Sequence, residues 1–231
     1  MSVLGAVMTV FPILAFLADL AALVAFIRGP SWQRGAILLA LVYLLPLFAY
    51  RLVDLFRPLR PGRFDLGAPV YSPWWGAHRA QLLFGMFPAL EMPLMLVPAV
   101  YRAWLRAWGS TIGKNVHFAP TFRPLDRGLL RIGDNVFFGH AATTSGHLID
   151  PRGGKLSLYV DFVTVESRVF VAAGAQLSPG VHLETGSLVG PYAKLAPKAR
   201  VKSGHFVEPN TVVHKERKQE PDAPDTDAAA S

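Results

Sequence analysis

From Val163 to His214 an aliphatic residue returns at every sixth position: Val165, Val171, Leu177, Leu183, Val189, Leu195, Val201, Val207 and Val213. Two residues before each stands a small or β-branched residue or, once, a histidine: Val163, Val169, Ala175, Val181, Ser187, Ala193, Ala199, His205 and Thr211. Nine hexads in succession without a miss mean stacked structural units. The period belongs neither to a helix nor to a simple alternating strand. It fits a coil with short flat sides, one inward aliphatic residue per side, and tight corners rich in Gly, Pro, Ala or Ser. Three sides close a coil of about 18 residues, and successive coils pair as parallel strands about 4.8 Å apart. Only neighbouring coils can cover each inward face, so the array is stable only as a stack.

At 231 residues the chain has room for this domain and something else. Hydrophobic residues make up 52% and charged residues 17%, against a usual quarter charged, and the bias is concentrated before Trp108. The absence of cysteine excludes disulfides, thiolate chemistry and Cys-ligated metals. The net charge of +7 rests partly on Arg51, Arg57, Arg60 and Arg63, which flank apolar segments. That placement reads as membrane-proximal charge. No helix-turn-helix or RNA-reading motif is present, so no nucleic-acid partner is expected.

Val3 to Ile27 carries a single charge, Asp19, over 25 residues and is long enough to span a bilayer as a helix. No basic residue precedes it, which argues against a cleaved signal peptide. After a turn at Gly29-Pro30, a second apolar run covers Gly35 to Tyr50, reaching Phe56 if Arg51 snorkels to the interface. The prediction is a transmembrane helical hairpin over residues 1–56. Two buried helices of a soluble protein are the rival reading, disfavoured because both runs are apolar on all sides. The arginines place the bulk of the chain and both termini in the cytoplasm, as an integral inner-membrane protein. Asp19 is expected to make a polar contact within the hairpin, and a lone intramembrane acid is a functional hint.

Residues 57–108 read as linker and interfacial amphipathic helices. Pro58 to Gly62 is a stiff linker, and Tyr71-Ser72-Pro73-Trp74-Trp75 suits the headgroup layer. Leu82 to Val100, broken by Pro88, Pro93 and Pro98, predicts short helices lying in or dipping into the interface, with a third span as the alternative reading. Tyr101 to Trp108 predicts an interfacial helix with tryptophan anchors. The β-domain covers 109–214, with early hexads at Ile112–His117 and Ile132–Phe137. Between them Thr121 to Arg131 is off-register. Phe138 to Ser157 leaves the pattern again, and Leu156 to Val160 reads as a strand returning to the stack. Residues 215–231 have the composition of a disordered tail. The fold class is thus membrane α plus all-β.

At the hexads the sequence resembles the hexapeptide-repeat acyltransferases, which fold as left-handed parallel β-helices; the handedness comes from the resemblance. Ile132-Gly133-Asp134-Asn135 is followed by Gly146-His147-Leu148-Ile149-Asp150. This pair of motifs resembles the maltose, galactoside and related sugar O-acetyltransferases. In those, a Gly-Asp-Asn hexad precedes a loop ending in His-Pro-Ile-Asp or similar, and that histidine is the catalytic base. Here Leu148 replaces the proline and the spacing is slightly shorter. The resemblance covers about Ile112 to Val213. More loosely, the N-terminal part and the Trp-Trp region resemble the membrane-embedded hexapeptide domains at the end of polylysine synthetases. The resemblance implies a homotrimer with the site between subunits. It implies an acyltransferase that moves an acetyl or longer acyl group from acetyl-CoA or another acyl-CoA, or from an acyl carrier protein thioester, with no metal. The expected acceptor is a hydroxyl or amine of a membrane-associated lipid or glycan.

Such chemistry needs a base, and a neutral imidazole takes a proton near neutral pH. His147 is the first candidate and His140, in Phe137-Phe138-Gly139-His140, its rival. Asp150, or Glu166 from the next coil, is the expected orienting carboxylate. Lys198, Arg200 and Lys202, with Lys194, cluster late in the stack; in the family such residues contact coenzyme A phosphates, while a solvated basic face is the plainer reading. His117, His182, His205 and His214 occupy repeat positions and read as surface or turn residues. His78 reads as facing a headgroup. Two alternatives stand: a non-catalytic trimeric scaffold, and a carbonic-anhydrase-like metal enzyme. The metal enzyme needs a His-x4-His spacing, whereas six residues separate His140 from His147.

Overall fold

A serine starts each of two long apolar helices. The Ser2 hydroxyl accepts from the Gly5 N–H at 3.1 Å and opens Val3–Arg28; the Ser31 hydroxyl accepts from Arg34 N–H at 3.3 Å and opens the helical run to Phe56. Such caps satisfy amide donors that the first helical turn leaves unpaired. A π-helical turn at Ala40–Leu44 interrupts the second helix without ending it. The computed structural model describes residues 2–68, 70–151 and 156–215. Both helices are long and apolar enough to cross a membrane, and only 11% of the apolar window of each is buried within the protein. Leu14, Phe48 and Leu55 among others face outward.

The hexads form a parallel β-solenoid of five coils with three faces, each face a five-stranded sheet. One face stacks Thr111–Ile112, Leu130–Ile132, Val163–Val165, His182–Leu183 and Arg200–Val201. The inward residue of each hexad is buried through Val207, and Val213 is half-buried because no further coil covers it among the described residues. Lys198 repeats the corner of Gly180 one coil earlier, and both take positive φ, 65° and 78°. At Lys198 this left-handed conformation costs about 1 kcal/mol, offset by the stack that fixes it.

The coils are not equally long. Val165 pairs with Leu183, and Leu183 with Val201, at steps of 18 residues. Ile112 pairs with Ile132 at a step of 20, and Ile132 with Val165 at a step of 33. The other two faces show the same steps at Pro124↔Thr144 and Phe138↔Val171. Both excesses therefore fall at one corner of two adjacent coils. The off-register stretch 121–131 is a complete side, Arg123–Pro124, followed by an enlarged corner.

Two expectations need correction. The strand Ser157–Val160 does not return to the stack: it pairs antiparallel with His147–Asp150 on one edge and Gly62–Asp65 on the other, outside the solenoid. The segment after the stiff linker is thus a strand of this side sheet. The Pro98–Ala107 helix does not anchor at an interface, because Tyr101, Leu105 and Trp108 are at most 1% exposed. They pack with Ile112 and Val116 and close the open end of the first coil, which lacks a preceding coil to cover it. Leu82 to Val100 is a series of short helical turns, as its prolines dictate. The expected disordered tail falls, from residue 216 onward, outside the described residues.

Leu183→Ala, at the centre of the stack, is expected to lower unfolding stability by about 2–5 kcal/mol. Lys194→Ala, on an outward face, stays within about 0.5 kcal/mol. Denaturant titration of the detergent-solubilised protein checks both.

Candidate active site

The enlarged corner of the first coil carries Asp126 and Arg127, 2% and 3% exposed. Buried charges need partners, and the helical region supplies them. Arg127 grips Glu91 bidentately, Nε to Oε1 at 2.8 Å and Nη2 to Oε2 at 2.5 Å. Trp104 Nε1 donates to Glu91 Oε1 at 2.7 Å, and Gln81 Oε1 accepts from the Arg127 backbone N–H at 3.0 Å and from Nη1 at 3.2 Å. Burial disfavours the guanidinium cation, but Glu91 outweighs it and holds the Arg127 pKa above its ordinary value. This fully bonded network pins the corner to the helices on either side of Phe87.

Its neighbour Asp126 is thereby fixed against the next coil's insertion. Asp126 Oδ2 accepts the Gly146 N–H at 2.8 Å and lies 2.6 Å from His147 Nδ1. Asp126 Oδ1 accepts Trp74 Nε1–H at 3.1 Å. Gly146 is required here, since an added Cβ would fall 2.5 Å from Leu129 Cδ1. A carboxylate only accepts, so the bond places the imidazole proton on Nδ1 and leaves the Nε2 lone pair as an acceptor.

Trp74 enters from the Pro73–Ala80 helix, which Ser72 caps. Its ring lies 4.6 Å from that of His147 and 5.1 Å from that of His78, one helical turn later. The two histidine rings are 6.1 Å apart. Burial holds the His78 pKa below its ordinary value; Asp126 opposes this, and His147 and Arg79 add to it. His147 and His78 both line a cavity of about 200 Å³ walled by Gln81 and Phe84 from the helices and by Leu125 and Arg127 from the solenoid. The aromatic cluster expected at a headgroup layer therefore contributes Trp74, 2% exposed, to the inside of the site.

The other expected site residues lie apart from this pair. His140 stands on an exposed corner, where its carbonyl accepts from the Gly174 N–H. Asp150 sits three residues beyond His147 on one strand, opposite Ser157, and side chains three apart on a strand point to opposite faces. Glu166 binds His182 Nε2 at 2.7 Å and the Thr185 hydroxyl at 2.8 Å, which lower its pKa. The carboxylate on His147 is Asp126, in place of the two expected. Arg200 pairs with Glu184 at 2.5 Å, and Lys198 Nζ lies 4.8 Å from the centre of the Tyr159 ring. Arg200 and Lys202 border an open groove on the last coils. Among the described residues no three His, Asp or Glu side chains converge as a metal site.

The chain is similar to hexapeptide-repeat acetyltransferases. A hexapeptide-repeat-containing acetyltransferase from Vibrio cholerae is 16% identical, over 58% of this chain and 86% of that one, with a TM-score of 0.38. A maltose O-acetyltransferase from Clostridium difficile 630 is 19% identical, over 50% and 70%, with a TM-score of 0.33. A galactoside acetyltransferase in complex with coenzyme A is 13% identical, over 67% and 82%, with a TM-score of 0.39. No protein-family model and no curated relative matches the chain.

Asp126, Trp74 and His78 were not singled out by the sequence as site residues. The available signal was the step of 20 residues from Ile112 to Ile132, which shows that one corner is two residues too long.

Removing one partner of the buried ion pair, as in Arg127→Met, is expected to cost about 3–5 kcal/mol. The Arg127→Met/Glu91→Leu double variant recovers a large part of this, and a double-mutant cycle on unfolding free energies measures it. Because burial depresses the His78 pKa, the folded state binds fewer protons there than the unfolded one. Its contribution to stability is present above about pH 6.5 and is lost as pH falls through the folded-state value. The thermal midpoint therefore drops on acidification below that point, and less steeply in His78→Gln.

Proposed function

We propose that the protein is an acyltransferase in which His147 is the general base and Asp126 the residue that positions it. The reading is carried by one observation: His147 Nδ1 is tied to a buried carboxylate at 2.6 Å while the same side chain lines a cavity shared by helices and solenoid. An imidazole so held takes a proton at Nε2 from an attacking O–H or N–H. The attack forms a bond between the acceptor oxygen or nitrogen and the acyl carbon. As the C–S bond then breaks, the imidazolium returns the proton to the departing thiolate. The donor assigned is a coenzyme A-type thioester, the donor of the sugar O-acetyltransferases that the Ile132–Asn135 and Gly146–Asp150 motifs resemble. Arg200 and Lys202 offer positive charge for its phosphates.

The acceptor is a hydroxyl or amine of a membrane-associated lipid or glycan. The support is the pair of long, outward-facing apolar helices, which pack on the Pro73–Ala80 helix that brings His78 to the cavity. We place the solenoid on the cytoplasmic side by the arginines after the second helix. We also propose a homotrimer. One outward face carries a ladder of paired apolar residues, Phe137, Phe170, Leu188 and Phe206, each 39–45% exposed, and such a contiguous exposed stripe marks an interaction surface.

In vesicles of total membrane lipid with radiolabelled acetyl-CoA, wild-type protein is expected to label a lipid-extractable product. His147→Ala lowers the rate about 10²–10⁴-fold with the fold retained, and His140→Ala leaves it within about twofold. Unimpaired transfer by His147→Ala removes the assignment. Asp126→Asn is expected to lower kcat with little change in KM. Nitrogen NMR of labelled histidine should show the Nδ1–H tautomer at His147 in the wild type and its loss in the variant.

A further inference from the structure

We infer that the acceptor is a lipid whose hydrocarbon tail lies in a groove between the two long helices and residues 82–90, with Asp19 binding a polar group on that lipid. The inference rests on the acyl-transfer reading of the His147 cavity and names its substrate class.

The observation is a row of three neighbouring hollows that share wall residues. Leu82 lines both the cavity at His147 and a second hollow of about 210 Å³ beside Pro12 and Phe16. Phe16, Leu83 and Phe87 line both this hollow and a third of about 360 Å³, which extends along the first helix to Leu23 and across to Leu38 and Val42 on the second. Polar side chains crowd the His147 end, and hydrocarbon walls almost all of the rest. From Pro12 to Leu23 the row follows the first helix for roughly 16 Å, the length of a medium-chain tail. One side of it belongs to the two helices of span length, which opens it to a lipid entering sideways from a bilayer.

Asp19 is the second, independent observation. It is 8% exposed, it lines the third hollow, and neither carboxyl oxygen has a hydrogen-bond partner among the described residues. The sequence expectation of a polar contact within the hairpin is therefore not met. A buried polar group without a partner is costly and calls for one. A tail made only of methylenes leaves it unmet, whereas a hydroxyl or ester carbonyl carried by the lipid meets it. The groove thus selects for an amphiphile with one polar group at the depth of Asp19 and a second, reactive one at His147.

The test uses the full chain in nanodiscs and a monoacylglycerol whose acyl chain carries a mid-chain hydroxyl, the group meant for Asp19, and a diazirine near its end. After photolysis, mass mapping is expected to find label enriched at least tenfold in residues 16–23, 38–43 and 83–90 over the outward-facing positions Ile27, Phe48 and Leu55. Unlabelled monoacylglycerol competes it away. Leu83→Trp and, as a second filling variant, Val42→Phe abolish the enrichment. Asp19→Leu reduces it about tenfold, and Asp19→Asn, which can still hydrogen-bond, keeps it. Label spread evenly over the lipid-facing surface, or unchanged in both filling variants, overturns the groove. His147-dependent acetyl transfer that runs as fast to glycerol as to monoacylglycerol overturns the lipid acceptor and leaves the acyl-transfer reading standing. Groove labelling without any His147-dependent transfer overturns the acyl-transfer reading, and with it the groove's role as an acceptor site.

Discussion

The ion pair between Arg127 and Glu91 joins the two halves of this molecule. Neither group is tolerable alone in an interior with so little solvent access. Each side chain therefore requires the other, and the solenoid corner requires the helices. Around the pair, Trp104 bonds Glu91 and Gln81 bonds Arg127, which holds the joint in one geometry. The adjacent residue, Asp126, then has no freedom to swing. Its carboxylate faces Gly146 and His147 of the following coil and Trp74 of the helix above. A buried charge cluster that looks structural thus sets the geometry of the Asp126–His147 pair.

The solenoid was legible because its physics is periodic. Every inward residue meets the same environment, so the sequence repeats it, and the sheet registers follow the hexads from Val165 to Val213. The apolar runs of the two long helices were legible for the same reason of uniform surroundings. The site was only half legible. His147 stands in a motif, but Asp126 lies in a stretch that carries no pattern, and its contact with His147 spans 21 residues. Trp74 and His78 come from a segment whose aromatics read equally well as membrane anchors. Trp74 packs against a third element, the side sheet formed by Gly62–Asp65, Ser157–Val160 and His147–Asp150, and that sheet joins strands nearly a hundred residues apart. Composition does not encode such pairings. The same reason explains the Pro98–Ala107 helix: alternation of aromatic and basic residues fits an interface or a solenoid cap equally, and only the uncovered first coil decides.

Two insertions at one corner of adjacent coils are the economy of this design. A regular solenoid offers flat faces and no enclosure. Lengthening one corner slightly and the next one substantially raises a wall, against which the helical region packs to form a cavity. The apolar surface of that region then extends from the cavity wall towards the two long helices.

The most direct test is an experimental structure of the full chain in nanodiscs with a non-hydrolysable thioether analogue of acetyl-CoA. The account predicts the thioether sulfur in contact with His147 inside the cavity walled by His78, Phe84 and Leu125, with Asp126 still bound to Nδ1. An analogue seated with its sulfur beside His140, or outside the cavity altogether, would contradict it.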